Sequence, residues 1–334
     1  VIHAFVELSG ESPALGCWEA IATAEALGGR QGSGEPDFAD LVDLALPSAS
    51  SLARLADRLA LAHRCLVLLA SEDAVGAAMA AEGESGDTGA VRRIGSPSGG
   101  PDPTILAAGR AFVCGGGRID LGHPRRRFWL ARDRSGRDWL FEESGTVDRS
   151  AANRRRMPLL PFQRPVSLPP RLARAAANLA RVRPGDRVLD PFLGTGALLA
   201  EAGMLGGRLF GIDRDPTMVR GALQNLAHLG VSAEGLVAGD SGEVEFADPE
   251  MTFDAVLTDP PYGRASSTGG EAVDGLVARV IRRWVRRITP GGRLVLIVPT
   301  GASSLEGVGR PVVSVPVRVH RSLTRDFRVY ETPG

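Results

Sequence analysis

Two short stretches of this sequence carry residue types whose spacing could do chemistry. The first is Asp190-Pro191-Phe192-Leu193-Gly194-Thr195-Gly196, which follows a short apolar run and leads into a helical pattern. Glycines at such a strand-to-helix turn let a ligand approach the backbone, whose amides point toward it. A dinucleotide-binding turn would place a third glycine three residues after Gly196, where Leu199 stands, and Asp190 would repel a pyrophosphate. A carboxylate there suits a cationic amine. The next apolar run ends in Gly211-Ile212-Asp213, an acid placed for ribose hydroxyls, and the one after it in Gly239-Asp240-Ser241, a partner for an adenine amine. A ligand with a ribose, an adenine and a zwitterionic tail but no phosphate is S-adenosylmethionine. Its expected contacts are Asp190, Phe192, Gly194, Thr195, Gly196, Asp213, Asp240, Ser241 and Asp259.

The second stretch is Thr258-Asp259-Pro260-Pro261-Tyr262-Gly263, at the end of a fourth apolar run. Strand C-termini line the ligand crevice of doubly wound sheets. Two prolines fix the backbone, and Asp259 with the Pro260 carbonyl can accept both hydrogens of one exocyclic NH2 group. Tyr262 can stack on a flat base and turn an electron-rich face to a sulfonium. The lone pair of such an amine is delocalised into its ring. Holding both N–H bonds favours the pyramidal nitrogen that attacks a methyl group, so catalysis is expected from positioning and electrostatics rather than a strong base. Asp259, Pro260 and Tyr262 are the expected catalytic residues.

The elements that must hold these residues alternate regularly. Strands are expected at 187–190, 209–213, 236–238, 255–258 and 293–298, with helices at 171–182, 197–203, 218–229 and 273–288. That alternation implies a parallel sheet covered on both faces. Runs at 312–319 and 327–330 suggest an antiparallel edge. The first half reads as a small α+β arrangement: a strand at 2–8, helices at 15–27 and 50–62, a strand at 65–70, loops at 83–89 and 95–103, and a hairpin turning at 133–136. Between the halves, 148–170 contains Arg154-Arg155-Arg156 and five prolines, and is expected to be an extended, semi-rigid connector. The expected division is 1–145, a linker at 146–170, and 171–334.

The whole chain of 334 residues balances 39 basic against 39 acidic side chains, and every basic residue is arginine. The balance is uneven along the chain. Residues 1–90 hold 4 arginines and 14 acids, 91–187 hold 20 and 8, and 188–334 hold 15 and 17. The acidic front should therefore face away from an anionic partner or pair with the basic middle. Arg125, Arg126, Arg127, Arg154, Arg155, Arg156 and Arg264 are candidate phosphate contacts, whereas Arg282, Arg283, Arg286 and Arg287 read as a solvated helix face. No apolar run is long enough to span a bilayer. The first residues lack the basic and apolar regions of a secretory signal. The five histidines and three cysteines show no metal spacing. A cytoplasmic, metal-free protein is expected, with a monomer as the default. Cytosine C5 methylation needs a cysteine nucleophile, and 151–334 contains none.

The tetrapeptide at 259–262, spaced after the motif at 190–196, resembles the exocyclic-amine methyltransferases of nucleic acids. More narrowly, the chain resembles the archaeal THUMP-domain tRNA methyltransferases that modify the N2 amine of guanosine-10. The supporting stretches are 7–11, 161–165 with 168–174, Asp213 with Met218-Val219, Gly221-Ala222 and Asn225-Leu226, then 259–264 and 320–325. The resemblance implies a Rossmann-like class I methyltransferase domain preceded by a ferredoxin-like and THUMP region that docks on tRNA. It also implies S-adenosylmethionine as cofactor and tRNA as partner. Leu193 stands where the family often has cysteine, and Gln163-Arg164 replaces an aromatic–histidine pair. Protein glutamine methyltransferases of similar fold carry Asn in place of Asp259. Adenine N6 methylation on RNA or DNA stays open, because that amine fits the same tetrapeptide, as does an inactive fold used as an RNA-binding scaffold.

Overall fold

A computed structural model describes residues 1–95, 102–164, 167–261, 273–302, 308–320 and 323–334. They divide into two units, one of 1–13, 27–57 and 62–147, the other of 14–26, 58–61 and 148–334.

The first unit is built on a sheet of eight strands in the order β2-β3-β1-β4-β8-β7-β5-β6. Its elements in chain order are β1 (Ile2–Leu8), β2 (Arg30–Gln31), β3 (Leu41–Leu46), most of α2 (Ala49–Arg58), which follows α1 (Pro13–Ala26) of the other unit, and β4 (Ala62–Ser71). Then come α3 (Val75–Glu82), β5 (Thr88–Arg93), α4 (Pro103–Cys114), β6 (Arg118–Ile119), β7 (Arg126–Arg132) and β8 (Asp138–Thr146). β5 runs parallel to β6 and β7, and the other neighbours are antiparallel. The expected strand at 2–8 and hairpin at 133–136 are present. The β3 strand escaped the sequence because all six of its residues are buried and no alternation survives. The α4 helix starts at the last residue of the loop expected at 95–103, of which 96–101 lie outside the described residues. Asp102 accepts hydrogen bonds from the Thr104 and Ile105 amides, and Pro103 takes the first helical position. Phe5, Phe38 and Phe141 pack edge to face at centroid distances of 5.2–5.9 Å in one core, and Phe112 meets Phe128 in another.

The second unit carries α5 (Arg149–Arg154), α6 (Pro170–Leu179), β9 (Arg187–Asp190), α7 (Ala197–Met204), β10 (Arg208–Asp213), α8 (Pro216–His228) and β11 (Gly235–Ala238). It continues with β12 (Phe253–Thr258), α9 (Val273–Val285), β13 (Ile288–Pro299), β14 (Val313–His320) and β15 (Leu323–Glu331). The strand order is β11-β10-β9-β12-β13-β15-β14, parallel from β11 to β13, with β15 antiparallel to both its neighbours. The order reverses beside β9, which is the topological switch point where open α/β sheets bind ligands. Central strands such as β12 are buried on both faces, which explains their continuous apolar, β-branched runs.

The connector is not extended throughout. Asp148 accepts from the Ser150 and Ala151 amides and starts α5, which runs until Arg154 because no proline interrupts it before Pro158. The arginine triplet thus begins on a helix. The N-terminal helix α1 packs in this unit's core, where Leu15 and Ala22 join α6 and the sheet. A buried polar knot fixes it: Glu19 accepts from the Ala60 and Leu61 amides at 2.9 and 2.8 Å and from Asn178 Nδ2 at 2.9 Å. Arg58 donates to Asn178 Oδ1 and to the Val182 carbonyl.

Candidate functional site

Asp190, Asp213, Asp240 and Asp259 sit at or just beyond the C-terminal ends of β9, β10, β11 and β12, four adjacent strands, as the sequence predicts. Register aligns them: Asp190 pairs with Gly211, and Asp213 with Ala238. The residue between the strand ends and the helices is stitched more tightly than expected. Asp190 Oδ1 accepts from the Phe192 amide and from the Thr258 hydroxyl, both at 3.0 Å, tying the glycine-rich turn to β12. Asp213 accepts from the Gly194 amide at 2.8 Å and the Asp215 amide at 2.9 Å. The Leu193 amide donates to Ile212 and that of Gly196 to Leu193. The expectation that this turn offers its amides to a ligand is thus corrected for Phe192, Leu193, Gly194 and Gly196, whose N–H groups hold the turn itself.

The glycines are needed for shape. Gly194 and Gly196 have φ of +51° and +81°, left-handed values costly for residues with a Cβ. A Cβ on Gly196 would also lie 3.1 Å from that of Ala222 on α8. Thr195 is buried, with its hydroxyl 3.2 Å from that of Ser167 and its carbonyl taken by Asn225 Nδ2 at 3.1 Å. Asn225 also clamps Phe162 of the connector, accepting from its amide at 2.9 Å and donating to its carbonyl at 3.0 Å. Gly221 leaves the space for the Phe162 ring, which a Cβ there would meet at 2.1 Å. Arg164 stacks over that ring at 4.5 Å, and Gln163 folds back onto the Pro158 and Leu160 carbonyls.

Burial governs the charges. Asp190 is almost fully buried, and desolvation raises its pKa to about 7, with Asp259 and Asp213 adding repulsion. Asp213 is raised for the same chief reason. Asp240 moves the other way, because Arg279 of α9 holds it through two bonds of 3.1 Å. The Ser241 hydroxyl donates to the Pro191 carbonyl, and its own carbonyl accepts from Trp284 Nε1 at 2.9 Å. Asp259 is raised to about 6 by burial, against the opposing pull of Arg325, which donates to its Oδ2. Its Oδ1 is buried and has no hydrogen-bond partner among the described residues. Pro260 is buried beside it. Tyr262 and Arg264 lie outside the described residues.

Arg279 and Arg325 are the site residues that sequence reasoning missed. Each pairs with its acid from far along the chain, and no local motif announces such a contact. The expected solvated face at the end of α9 also divides: Arg282 and, beyond the helix, Arg286 are exposed, but Arg283 donates to the Gly242 and Val244 carbonyls and Arg287, also beyond it, to that of Pro249. Of the candidate phosphate contacts, Arg126 grips Glu142 through two bonds of 2.7 and 2.9 Å and Glu82 at 2.6 Å. Arg155 grips Glu201, which Arg174 also holds. Arg125, Arg127, Arg154 and Arg156 remain exposed, although Arg154 pairs with Asp148 at 3.0 Å and Arg125 and Arg127 lie 3.7 Å from Asp87 and Glu143.

The acids and glycines fit S-adenosylmethionine. Carboxylates on successive strand ends match ammonium, ribose and adenine donors, and a Cβ on Gly194 would meet the Phe192 carbonyl oxygen at an ordinary 3.9 Å. Among the described residues no group of histidine, cysteine or acidic side chains is arranged to hold a metal, and no helix is long and apolar enough to cross a membrane.

Residues 159–310 match the family described as RMKL-like, methyltransferase domain. Over 196 residues the chain is 36% identical to the tRNA (guanine(10)-N2)-dimethyltransferase of Methanothermobacter thermautotrophicus, covering 58% of this chain and 57% of that protein. The chain therefore spans little more than half the length of that relative. It is 36% identical over 168 residues to the probable tRNA (guanine(10)-N2)-dimethyltransferase of Methanothermococcus thermolithotrophicus, which it matches over 98% of that sequence and 48% of its own. In fold it is similar to the crystal structure of TrmN from Thermus thermophilus, with a TM-score of 0.54 and 22% identity over 98% of this chain and 99% of that one. With Rossmann-like class I topology, the strand-end acids and these matches together, the chain belongs to the tRNA (guanine(10)-N2)-dimethyltransferase family.

Proposed function

We propose that this protein methylates the exocyclic N2 amine of guanosine 10 in tRNA, using S-adenosylmethionine, in the cytoplasm. The observation that carries this is Asp259, a half-buried carboxylate at the head of the Asp-Pro-Pro-Tyr segment with one oxygen held and the other, buried, unpartnered among the described residues. A buried acceptor without a donor is costly, and a planar amine supplies the missing donor.

The cofactor, when bound, supplies a methyl group made electrophilic by its sulfonium sulfur. The chain's residues do the rest. Asp190 pairs with the cofactor's ammonium, Asp213 with its ribose hydroxyls and Asp240 with its adenine amine, over a floor made by Phe192, Gly194, Thr195, Gly196 and Ser241. Asp259 and the Pro260 carbonyl accept the two N–H bonds of the substrate amine, and Tyr262 stacks on its base. Asp259 Oδ1 takes the proton that the amine sheds as its new N–C bond forms and the methyl group's bond to sulfur breaks. Residues 1–145 serve as the ferredoxin-like and THUMP region that docks tRNA. Arg125, Arg127, Arg154, Arg156 and Arg264 contact phosphates.

Replacing Asp259 tests the assignment. Asp259→Asn keeps the volume but removes the charge and turns an NH2 group or a weaker acceptor toward the amine. Turnover should fall on the order of 10²–10³-fold, the loss typical of one preorganised electrostatic contact, with calorimetric affinity for S-adenosylmethionine and tRNA kept. Wild-type turnover in that variant would refute it.

A further inference from the structure

We propose that Arg325 is a positioning residue for Asp259, occupying one carboxylate oxygen so that the other is presented, charged, to the substrate amine. This rests on the assignment of Asp259 as amine acceptor and extends it to a residue of another strand.

Arg325 lies on β15, where it pairs in register with Pro299, the last residue of β13. The parallel strands end at that edge of the sheet, so the antiparallel strand delivers its side chain to the substrate side from the far side of β13. The side chain is nearly buried, at 7% exposed, and its Nη1 donates to Asp259 Oδ2. Among the described residues, that contact leaves Oδ1 as the unpartnered oxygen. Asp259 therefore has one acceptor for one N–H bond, in an orientation it cannot leave without breaking a buried charge pair.

The charge state depends on the same contact. Burial pushes the Asp259 carboxyl upward and Arg325 draws it down, with a net value of about 6. The charged groups facing Asp259 among the described residues are Arg325 on β15, which lowers its pKa, and Asp190 on β9, whose own pKa Asp259 raises. Without the guanidinium, no described group opposes burial, and Asp259 shifts further toward the neutral acid. A protonated carboxyl carries an O–H donor, the wrong polarity for an amine whose hydrogens must be accepted.

The experiment is the pH dependence of turnover on an unmodified tRNA transcript, for wild type, Arg325→Gln and Arg325→Lys. Loss of a neighbouring opposite charge moves a carboxyl by about 1–3 pH units. The acidic limb of kcat should rise by that amount in Arg325→Gln and by less in Arg325→Lys, with S-adenosylmethionine affinity kept in both. A carboxyl 13C titration, with Asp259→Asn assigning the resonance, reads the same displacement without turnover. A folded, cofactor-binding Arg325→Gln whose limb and Asp259 titration stay at the wild-type position would overturn the inference alone. Undiminished turnover in Asp259→Asn would instead overturn the amine-acceptor assignment on which it rests.

Discussion

Asp190 titrates near pH 7 because it is buried with other carboxylates nearby, and the sign of the consequence is fixed. Its folded pKa is raised, so below about 7 it is mostly neutral and offers no charge to a ligand's ammonium. Above that value it is a carboxylate and the pair forms. Affinity for S-adenosylmethionine, followed by calorimetry between pH 5.5 and 8.5 (about neutrality, where this group titrates), should therefore rise with pH through about 7. Asp190→Asn should flatten that rise. In the cofactor-free protein the same shift lowers stability at neutral pH: the stability is undiminished below the unfolded pKa near 3.8 and is lost as pH rises through about 7. At this scale the four acids were legible in the sequence, since each is marked by its place after an apolar run. Arg279 and Arg325 were not. Their partners lie 39 and 66 residues away, and only the sheet order and the packing of α9 bring them together.

Among the elements, the alternation from β9 to β13 was readable because the strands are apolar runs and β9, β10 and β12 each lead to a helix. What failed was the interior of the connector, where proline content suggested one extended segment and the Asp148 cap set a helix instead. The clamp that fastens the rest of the connector was also hidden. Asn225 on α8 joins Phe162 to Thr195 through three hydrogen bonds, and Gly221 one turn earlier seats the ring. Asn225→Ala should lower unfolding free energy by about 2–3 kcal/mol, the net worth of a few hydrogen bonds including a buried one, and weaken cofactor binding. Gly221→Ala should displace Phe162 and weaken cofactor binding at smaller cost to stability, because the new methyl meets the ring of a half-buried side chain. Denaturant melts and calorimetry on the two variants separate these effects. Wild-type cofactor affinity in both would contradict a role for the clamp in shaping the turn.

Over the whole molecule, the zero net charge concealed a basic middle, and the side chains show how part of it is used. Arg126 pairs with Glu82 of the acidic front, so the expectation that front and middle pair is met at that point. Because Arg126 and Arg155 are held by carboxylates and Arg125, Arg127, Arg154 and Arg156 are exposed, the two groups should separate on substitution. Alanine at the four exposed positions should weaken tRNA binding and reduce its dependence on salt, as loss of phosphate contacts does, with little change in melting. Arg126→Ala should chiefly lower the melting temperature, because it leaves two carboxylates without their cation. The most direct test of the central claim is to incubate the protein with methyl-labelled S-adenosylmethionine and an unmodified tRNA transcript, then identify the labelled nucleosides by mass spectrometry. The expected result is label in N2-methylated guanosine, lost when guanosine 10 is replaced. Label in N6-methyladenosine, or in no tRNA nucleoside, would contradict it.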